Sequence, residues 1–117
     1  MKILIADDHA LFRAGLRYIL APLDRHMTLL EAADHAEAAA LLAQHPDTDL
    51  ALIDLHMPGR GDGLTAFDLL ASSTLTVPIV VLSGSEERRE LRRVLDAGAM
   101  GFIPKSAAPE VMLGALR

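Results

Sequence analysis

The 117-residue chain has no cysteine, no tryptophan and few aromatic residues. The absence of cysteine excludes a disulfide framework and a thiolate metal site, and it suits a reducing, cytoplasmic location. The formal charge of −5 argues against binding of nucleic acid or anionic lipid by this segment. No apolar run approaches the roughly 20 residues that span a bilayer, and the first apolar run ends in two acids, unlike a secretion signal. The length and a composition of 51% hydrophobic and 23% charged residues indicate a single globular domain.

Short aliphatic segments alternate with amphipathic ones along the whole chain. The aliphatic runs are too short for helices, and they predict buried strands over residues 2–6, 27–31, 50–53, 78–82 and 100–103. Helical spacing or composition predicts helices over residues 11–20, over the Ala-rich stretch that ends at residue 44, and over residues 64–72, 86–97 and 109–116. Continuous aliphatic strands between amphipathic helices predict an α/β fold, a doubly wound five-stranded parallel sheet covered on both faces. Right-handed crossovers restrict its topology to a few strand orders.

Several residues predict where the helices begin and end. Asp34, with Glu37 three residues later, resembles a capping box, and Ser85 is a second candidate cap. Gly98 is expected at the position just after the fourth helix. On that helix, Leu91, Val94 and Leu95 are expected to form the inward stripe, and its charged residues a solvated face or an output surface. The aromatic residues at positions 12, 18 and 67 are expected to be core or half-buried packing residues.

Polar side chains follow four of the five predicted strands. In an open parallel sheet, ligands bind beyond the carboxyl ends of the strands. The residues at those ends are Asp7, Asp8, Asp54, Ser83, Gly84 and Lys105. Taken singly, the first two acids could cap a helix, the serine could be a turn residue and the lysine a solvated one. Their agreement at one edge of the sheet favours a shared site.

These residue types together point to phosphoryl chemistry. Neighbouring carboxylates repel one another, and Mg²⁺ (or Mn²⁺) relieves that repulsion because it takes oxygen ligands. A carboxylate beside such an ion can attack phosphorus and form an aspartyl-phosphate. Lys105 could stabilise the negative charge on the phosphoryl oxygens, and Ser83 could donate a hydrogen bond to one of them. Gly84 would leave room for the group to approach.

Four segments resemble response-regulator receiver domains, most closely those of the NarL/FixJ (LuxR-type) subfamily. They are Ile-Ala-Asp-Asp-His-Ala-Leu-Phe-Arg-Ala-Gly-Leu (5–16), Leu-Ile-Asp-Leu-His-Met-Pro-Gly (52–59), Val-Val-Leu-Ser-Gly (80–84) and Ala-Gly-Ala-Met-Gly-Phe-Ile-Pro-Lys-Ser (97–106). The resemblance runs through the chain in the expected order. It implies a flavodoxin-like (βα)5 receiver fold over residues 1–117 with strand order 2-1-3-4-5.

The resemblance also implies a role for each residue of the site. Asp54 looks like the phospho-acceptor. The implied metal ligands are Asp8 directly, Asp7 through water, Asp54, and the backbone carbonyl of His56. Ser83 matches the switch hydroxyl, Lys105 the lysine that pairs with the phosphoryl group, and Phe102 the switch aromatic. Residues His56 and Ser85 fall where the family tunes hydrolysis.

Two departures from the family pattern concern loops. The loop Pro-Gly-Arg-Gly-Asp-Gly at residues 58–63 is one residue longer than the family's Pro-x-x-Asp-Gly. In addition, Pro104 precedes Lys105 instead of following it, so no cis Lys-Pro bond is expected. The five histidines show no metal-ligand spacing and are interpreted as surface or loop residues, with His9 and His56 near the site by position alone.

The leading hypothesis is a phosphorylation switch in a two-component system. A sensor histidine kinase would donate the phosphoryl group, the receiver would catalyse only its own phosphorylation and dephosphorylation, and a homodimer could follow. The chain ends early in its last predicted helix, so we expect a receiver domain excised from a transcription factor with a C-terminal helix-turn-helix domain; a natural single-domain regulator is the alternative. A phosphorylation-independent interaction module remains open. A haloacid-dehalogenase-type phosphatase is disfavoured because its second acid falls at His56.

Overall fold

The computed structural model describes residues 1–57, 66–71, 77–84, 88–106 and 114. The strands are β1 (Lys2–Ala6), β2 (Thr28–Ala32), β3 (Leu50–Asp54), β4 (Ile79–Ser83) and β5 (Gly101–Pro104). The helices are α1 (Ala10–Leu20), α2 (His35–Gln44), α3 (Ala66–Ala71) and α4 (Arg88–Asp96), and a short 3-10 turn, Ala21–Leu23, follows α1. Three sequence predictions lie outside the described residues: the longer loop at 58–63, the cap at Ser85 and nearly all of the helix at 109–116.

The five strands form one parallel sheet in the order β2-β1-β3-β4-β5. This confirms the predicted fold class and the strand order implied by the family resemblance. The order reverses direction at β1, since β2 lies on one side of β1 and β3 on the other. A ligand site is therefore expected beyond the carboxyl ends of β1 and β3.

Alternate residues of each strand fill two separate cores. On β1, Ile3 and Ile5 pack with α1, whereas Leu4 and Ala6 pack on the opposite face with α2 to α4. Every residue of β3 and β4 is buried, which explains why these strands read as unbroken aliphatic runs. The two cores hold the sheet rigidly, so the strand ends are fixed relative to one another.

The structure confirms two helix boundaries that local sequence signals predict. The carboxylate of Asp34 accepts a hydrogen bond from the backbone N–H of Glu37 at 2.7 Å, as an N-cap does. Gly98 has a positive φ of 112° just after α4. The N–H groups of Gly98 and Ala99 donate to the carbonyls of Leu95 and Val94, which ends the helix.

Two packing predictions were wrong. Tyr18, expected to pack in or near the core, is 86% exposed on α1. Leu95, expected on the inward stripe of α4, is 45% exposed, and of that stripe only Val94 is fully buried. Helical spacing identifies residues that share a face, but it does not say whether another element covers that face.

Among the described residues, no helix is both long and apolar enough to cross a membrane. The same residues contain no cis peptide bond.

Candidate functional site

The carboxyl ends of four strands bring the predicted site residues to one edge of the sheet. Backbone hydrogen bonds continue the sheet past the strand ends: the N–H of Asp7 donates to Ala32 at 3.0 Å, and that of Lys105 to Ser83 at 2.8 Å. Asp54 ends β3 and lies opposite Leu82 of β4. The sheet itself therefore places these side chains, as the sequence predicted.

Asp54 is the central buried acid of the site. It is 3% exposed, and its Oδ2 lies 2.9 Å from Nζ of Lys105. Its Oδ1 accepts a long hydrogen bond of 3.3 Å from the backbone N–H of His56. Burial raises the pKa of Asp54 above the ordinary 3.8, although the Lys105 ammonium opposes that rise. Asp54 is thus a poorly solvated carboxylate, which suits a nucleophile.

Lys105 bridges two carboxylates. Its Nζ lies 2.7 Å from Oδ2 of Asp7 and 2.9 Å from Oδ2 of Asp54. Burial lowers the pKa of Lys105, but the hydrogen bonds to Asp7 and Asp54 outweigh it, so the net pKa is raised. The ammonium also lies 4.8 Å from the centre of the Phe12 ring. Lys105 is therefore a fixed cation beside Asp54.

Three carboxylates and one imidazole form a cluster that can hold a metal ion. Ligand atoms from Asp7, Asp8, His9 and Asp54 all lie within 4.8 Å of one another. Within the described part of the chain, Oδ1 of Asp8 is buried and accepts no hydrogen bond. Oδ2 of Asp7 is also buried, and Lys105 is its ion-pair partner at 2.7 Å. A carboxylate oxygen is costly to bury without a partner. A hard divalent cation would satisfy the Asp8 oxygen and would be attracted by the neighbouring carboxylates, so the residues present fit Mg²⁺ or Mn²⁺.

His9 contacts this cluster directly. Oδ1 of Asp7 accepts the backbone N–H of His9 at 2.8 Å and lies 3.0 Å from its ring Nδ1. The ring also lies 3.2 Å from Asp8. The sequence placed His9 near the site by position alone, and no spacing rule identified the contact because it depends on the turn between β1 and α1.

A buried histidine contacts the backbone of Asp54, and sequence reasoning did not predict this contact. His35, interpreted as a surface or loop residue, is only 4% exposed at the start of α2. Its Nε2 lies 2.8 Å from the backbone carbonyl of Asp54, and a carbonyl only accepts, so the ring donates. The surface interpretation is wrong for His35. The contact joins residues 19 apart in sequence, and no local pattern encodes it.

A second missed residue comes from α4. Glu90, expected on the solvated face of its helix, has a side chain only 15% exposed. Its Oε1 lies 2.5 Å from Nε2 of His56 and 3.5 Å from Oγ of Ser83. The solvated-face prediction holds for the exposed Arg88 and Arg89 but is wrong for Glu90.

Three further predicted residues, Ser83, Gly84 and Phe102, lie at or near the same edge of the sheet. Ser83 is completely buried at the end of β4. Gly84 is exposed, and a Cβ added there would meet no atom of the described residues within 4 Å. Phe102 is half-buried and packs against the core that contains α2 to α4. Their roles in phosphoryl binding and switching stay predictions.

Comparison with known proteins identifies relatives along the whole chain. The family model described as the response regulator receiver domain matches residues 3–117. The glycerol metabolism activator of Pseudomonas putida is 37% identical over 115 residues, covering 98% of this chain and 52% of that protein. The response regulator UvrY of Escherichia coli is 36% identical over 117 residues, covering 100% and 53%. The chain thus spans about half the length of the curated relatives it matches.

Solved structures share the fold closely. The signal receiver domain of a Mycobacterium tuberculosis response regulator, NarL, superposes with a TM-score of 0.83 at 29% identity, covering 98% of this chain and 91% of that one. A chain in the crystal structure of the P1 domain of CheA3 in complex with CheY6 from R. sphaeroides gives a TM-score of 0.79 at 26% identity, covering 99% and 93%.

Proposed function

The chain belongs to the response regulator receiver domain family of two-component signalling, and from that membership we propose that it accepts a phosphoryl group on Asp54. The observation that carries the proposal is the geometry of Asp54. This carboxylate is buried, faces a fixed ammonium at 2.9 Å, and belongs to a cluster with two further aspartates and a histidine. A solvated surface acid would have none of these features.

In the proposed reaction, one carboxylate oxygen of Asp54 attacks the phosphorus of a phosphodonor. A bond forms between that oxygen and phosphorus, and the bond from phosphorus to the donor's leaving atom breaks, with its electron pair going to the leaving group. Water later attacks the phosphorus and regenerates the carboxylate and inorganic phosphate. The domain is therefore a self-modifying switch, and it does not turn over a metabolite.

Mg²⁺ would be held by Asp8 directly, by Asp7 through water, by Asp54 and by the backbone carbonyl of His56. When bound, the ion neutralises charge on the phosphoryl oxygens and the carboxylates. Mn²⁺ has similar ligand preferences and should replace it. The fit rests on the clustering of three carboxylates and on the buried Oδ1 of Asp8, which accepts no hydrogen bond within the described residues.

The chain's own cation and hydroxyl complete the phosphoryl site. Lys105, now paired with Asp54 and Asp7, would turn to the new phosphoryl oxygens because they carry more negative charge than the carboxylate. Ser83 would donate its hydroxyl to another phosphoryl oxygen, and the exposed backbone at Gly84 would allow the approach. Phe102 would then repack, which would shift the domain between two populations.

A sensor histidine kinase is the proposed phosphodonor in the cell. Family membership supports it, as does the structural likeness to a chain from a complex of CheA3 and CheY6. The curated relatives are about twice as long and include a response regulator and a metabolism activator. We infer transcriptional control through a C-terminal helix-turn-helix domain, a cytoplasmic location, and homodimer formation on phosphorylation.

Intact-mass spectrometry after incubation with acetyl phosphate and Mg²⁺ tests the proposal. The expected result is a gain of one phosphoryl group that disappears with a chelator and in the Asp54→Asn variant. Asp47→Asn, which removes an exposed acid far from the site, is the matched control and should gain the group normally. No gain in a folded, Mg²⁺-binding wild-type protein would favour a phosphorylation-independent interaction module.

A further inference from the structure

Glu90 ties helix α4 to the edge of the sheet where the phosphoryl group would form. Its carboxylate contacts two elements at once: the ring of His56, at 2.5 Å, and the hydroxyl of Ser83, at 3.5 Å. His56 follows β3 and Ser83 ends β4. The contact with His56 joins residues 34 apart in sequence, so it links α4 to the end of β3 and is not a local helix interaction.

The position of Glu90 on its helix does not by itself explain this contact. An acid in the first turn of a helix is favourable because the backbone N–H groups there carry partial positive charge. That effect would operate equally well with the Glu90 side chain in solvent, where the side chains of the neighbouring Arg88 and Arg89 lie. The Glu90 side chain is instead 15% exposed, and ordering it must be compensated by the contacts with His56 and Ser83.

Glu90 and a phosphoryl group on Asp54 would compete for the same partner. A serine hydroxyl carries one proton and donates it to one acceptor at a time. A phosphoryl group adds up to two negative charges and strong acceptor oxygens close to Ser83, and it repels a carboxylate there. The hydrogen bond from Ser83 to Glu90 is long, at 3.5 Å, so the shorter, charge-assisted bond to a phosphoryl oxygen should win.

We propose that Glu90 is a positioning residue that holds α4 against the unmodified site, and that phosphorylation of Asp54 releases it. This inference rests on the proposed function. In the unmodified protein the Glu90 carboxylate fixes the ring of His56 and the start of α4. After phosphoryl transfer Ser83 turns to the new group, the Glu90 carboxylate is repelled, and α4 loses its tie to the sheet.

Hydrogen–deuterium exchange of α4, read by mass spectrometry before and after acetyl phosphate treatment, tests the tie. In wild type, exchange of residues 88–96 should rise on phosphorylation by about fivefold, the effect of losing one charge-assisted contact. In Glu90→Ala, exchange should already be about fivefold faster without phosphate, and phosphorylation should add little. In the same variant, acetyl phosphate should modify Asp54 several-fold faster than in wild type.

Two further variants distinguish the loss of the Glu90 contacts from a general change in the stability of α4. Glu90→Gln keeps an acceptor of the same shape without the charge, so α4 should stay protected before modification and be released less afterwards. Asp96→Ala removes an exposed acid from the other end of α4 and should behave like wild type. Equal α4 exchange in Glu90→Ala and wild type would overturn the tie, even if Asp54 is phosphorylated normally. If wild type takes no phosphoryl group, the proposed function fails, while fast exchange in unmodified Glu90→Ala still supports the tie.

Discussion

At the scale of single residues, the site is organised by one cation shared between two acids. Lys105 contacts both Asp7 and Asp54, which are almost completely buried. A bound metal ion would need the same two carboxylates. On the proposed function, Lys105 would have two opposed effects: it would compete with the metal ion for these carboxylates, and it would stabilise the phosphoryl group during transfer.

Replacement of Lys105 by methionine should separate these two effects. Without the competing ammonium, Mg²⁺ should bind roughly tenfold more tightly, corresponding to a pair energy on the order of 1 kcal/mol. Phosphorylation by acetyl phosphate should slow by about 100-fold, the usual cost of one lost electrostatic contact in a transition state. Calorimetric titration measures the first effect and intact-mass kinetics the second. Lys105→Arg, which keeps the charge, should bind Mg²⁺ no more tightly than wild type does. Tighter binding than wild type in both the Arg and the Met variant would contradict competition between Lys105 and the ion.

The raised pKa of Asp54 makes the unfolding free energy of the protein, measured in the presence of a chelator, depend on pH. The folded-state pKa lies above the unfolded value, so Asp54 contributes most to stability when protonated, below the unfolded pKa of about 3.8. That contribution is lost as pH rises through the folded pKa. Asp54→Asn removes the titrating group, so its free energy of unfolding relative to that of wild type should increase from pH 4 to pH 7. Urea unfolding at pH 4 and pH 7 measures the difference in unfolding free energy between Asp54→Asn and wild type. A difference that is the same at both pH values would contradict this prediction.

At the scale of secondary-structure elements, the sequence predicts the strands and helix caps well. The strands are short aliphatic runs because they are buried on both faces, and the caps depend on residues within a few positions of one another. Asp34 caps α2 as predicted, through its hydrogen bond from Glu37. The helix begins with His35, which contacts the backbone of Asp54, so the cap also bears on the site.

Asp34→Ala should destabilise the domain by about 1 kcal/mol because one N–H at the start of α2 loses its partner. The rate of Asp54 phosphorylation at temperatures well below unfolding should stay within about twofold of wild type, since the buried His35 ring remains held by packing. Chemical denaturation and intact-mass kinetics check the two statements. Asn is an equally good cap, so Asp34→Asn serves as the control, and equal losses in both variants would argue against capping.

The elements also show where sequence reasoning stops. Tyr18 and Leu95 were expected to pack inward, yet both are exposed. Tyr18 lies two residues from each of the buried Leu16 and Leu20, so it is on a different face of α1. His35 and Glu90 were read as solvated residues, and only the folded chain brings them to the site. Contacts between distant residues depend on how helices dock, and composition or periodicity carries no such information.

At the scale of the whole molecule, alternation of segment types predicts a parallel sheet, while the order of its strands came from family resemblance. Elementary rules leave several doubly wound orders open. The grouping of Asp7, Asp8, Asp54 and Lys105 was predictable, because the carboxyl ends of parallel strands share one edge in every such order. The two-sided core follows from the same topology.

Opposite faces of the sheet should respond independently to mutation. Ile3→Val and Ile79→Val act on different cores, each should cost about 1 kcal/mol, and the double variant should match their sum within about 0.5 kcal/mol. The control pair, Ile53→Val with Ile79→Val, acts within one core and should depart further from additivity. Urea denaturation of the three single variants, the two double variants and wild type measures this. Equal coupling in both pairs would contradict two separate cores.

The central claim, phosphorylation of Asp54, is tested most directly by locating the modified residue. Treatment with acetyl phosphate and Mg²⁺, followed by borohydride, reduces an aspartyl-phosphate to homoserine, which peptide mapping can assign to one position. We expect homoserine at position 54 in a Mg²⁺-dependent manner, with none at Asp7 or Asp8. Homoserine at either of those residues, or a Mg²⁺-dependent phosphoryl group on another side chain, would contradict Asp54 as the acceptor.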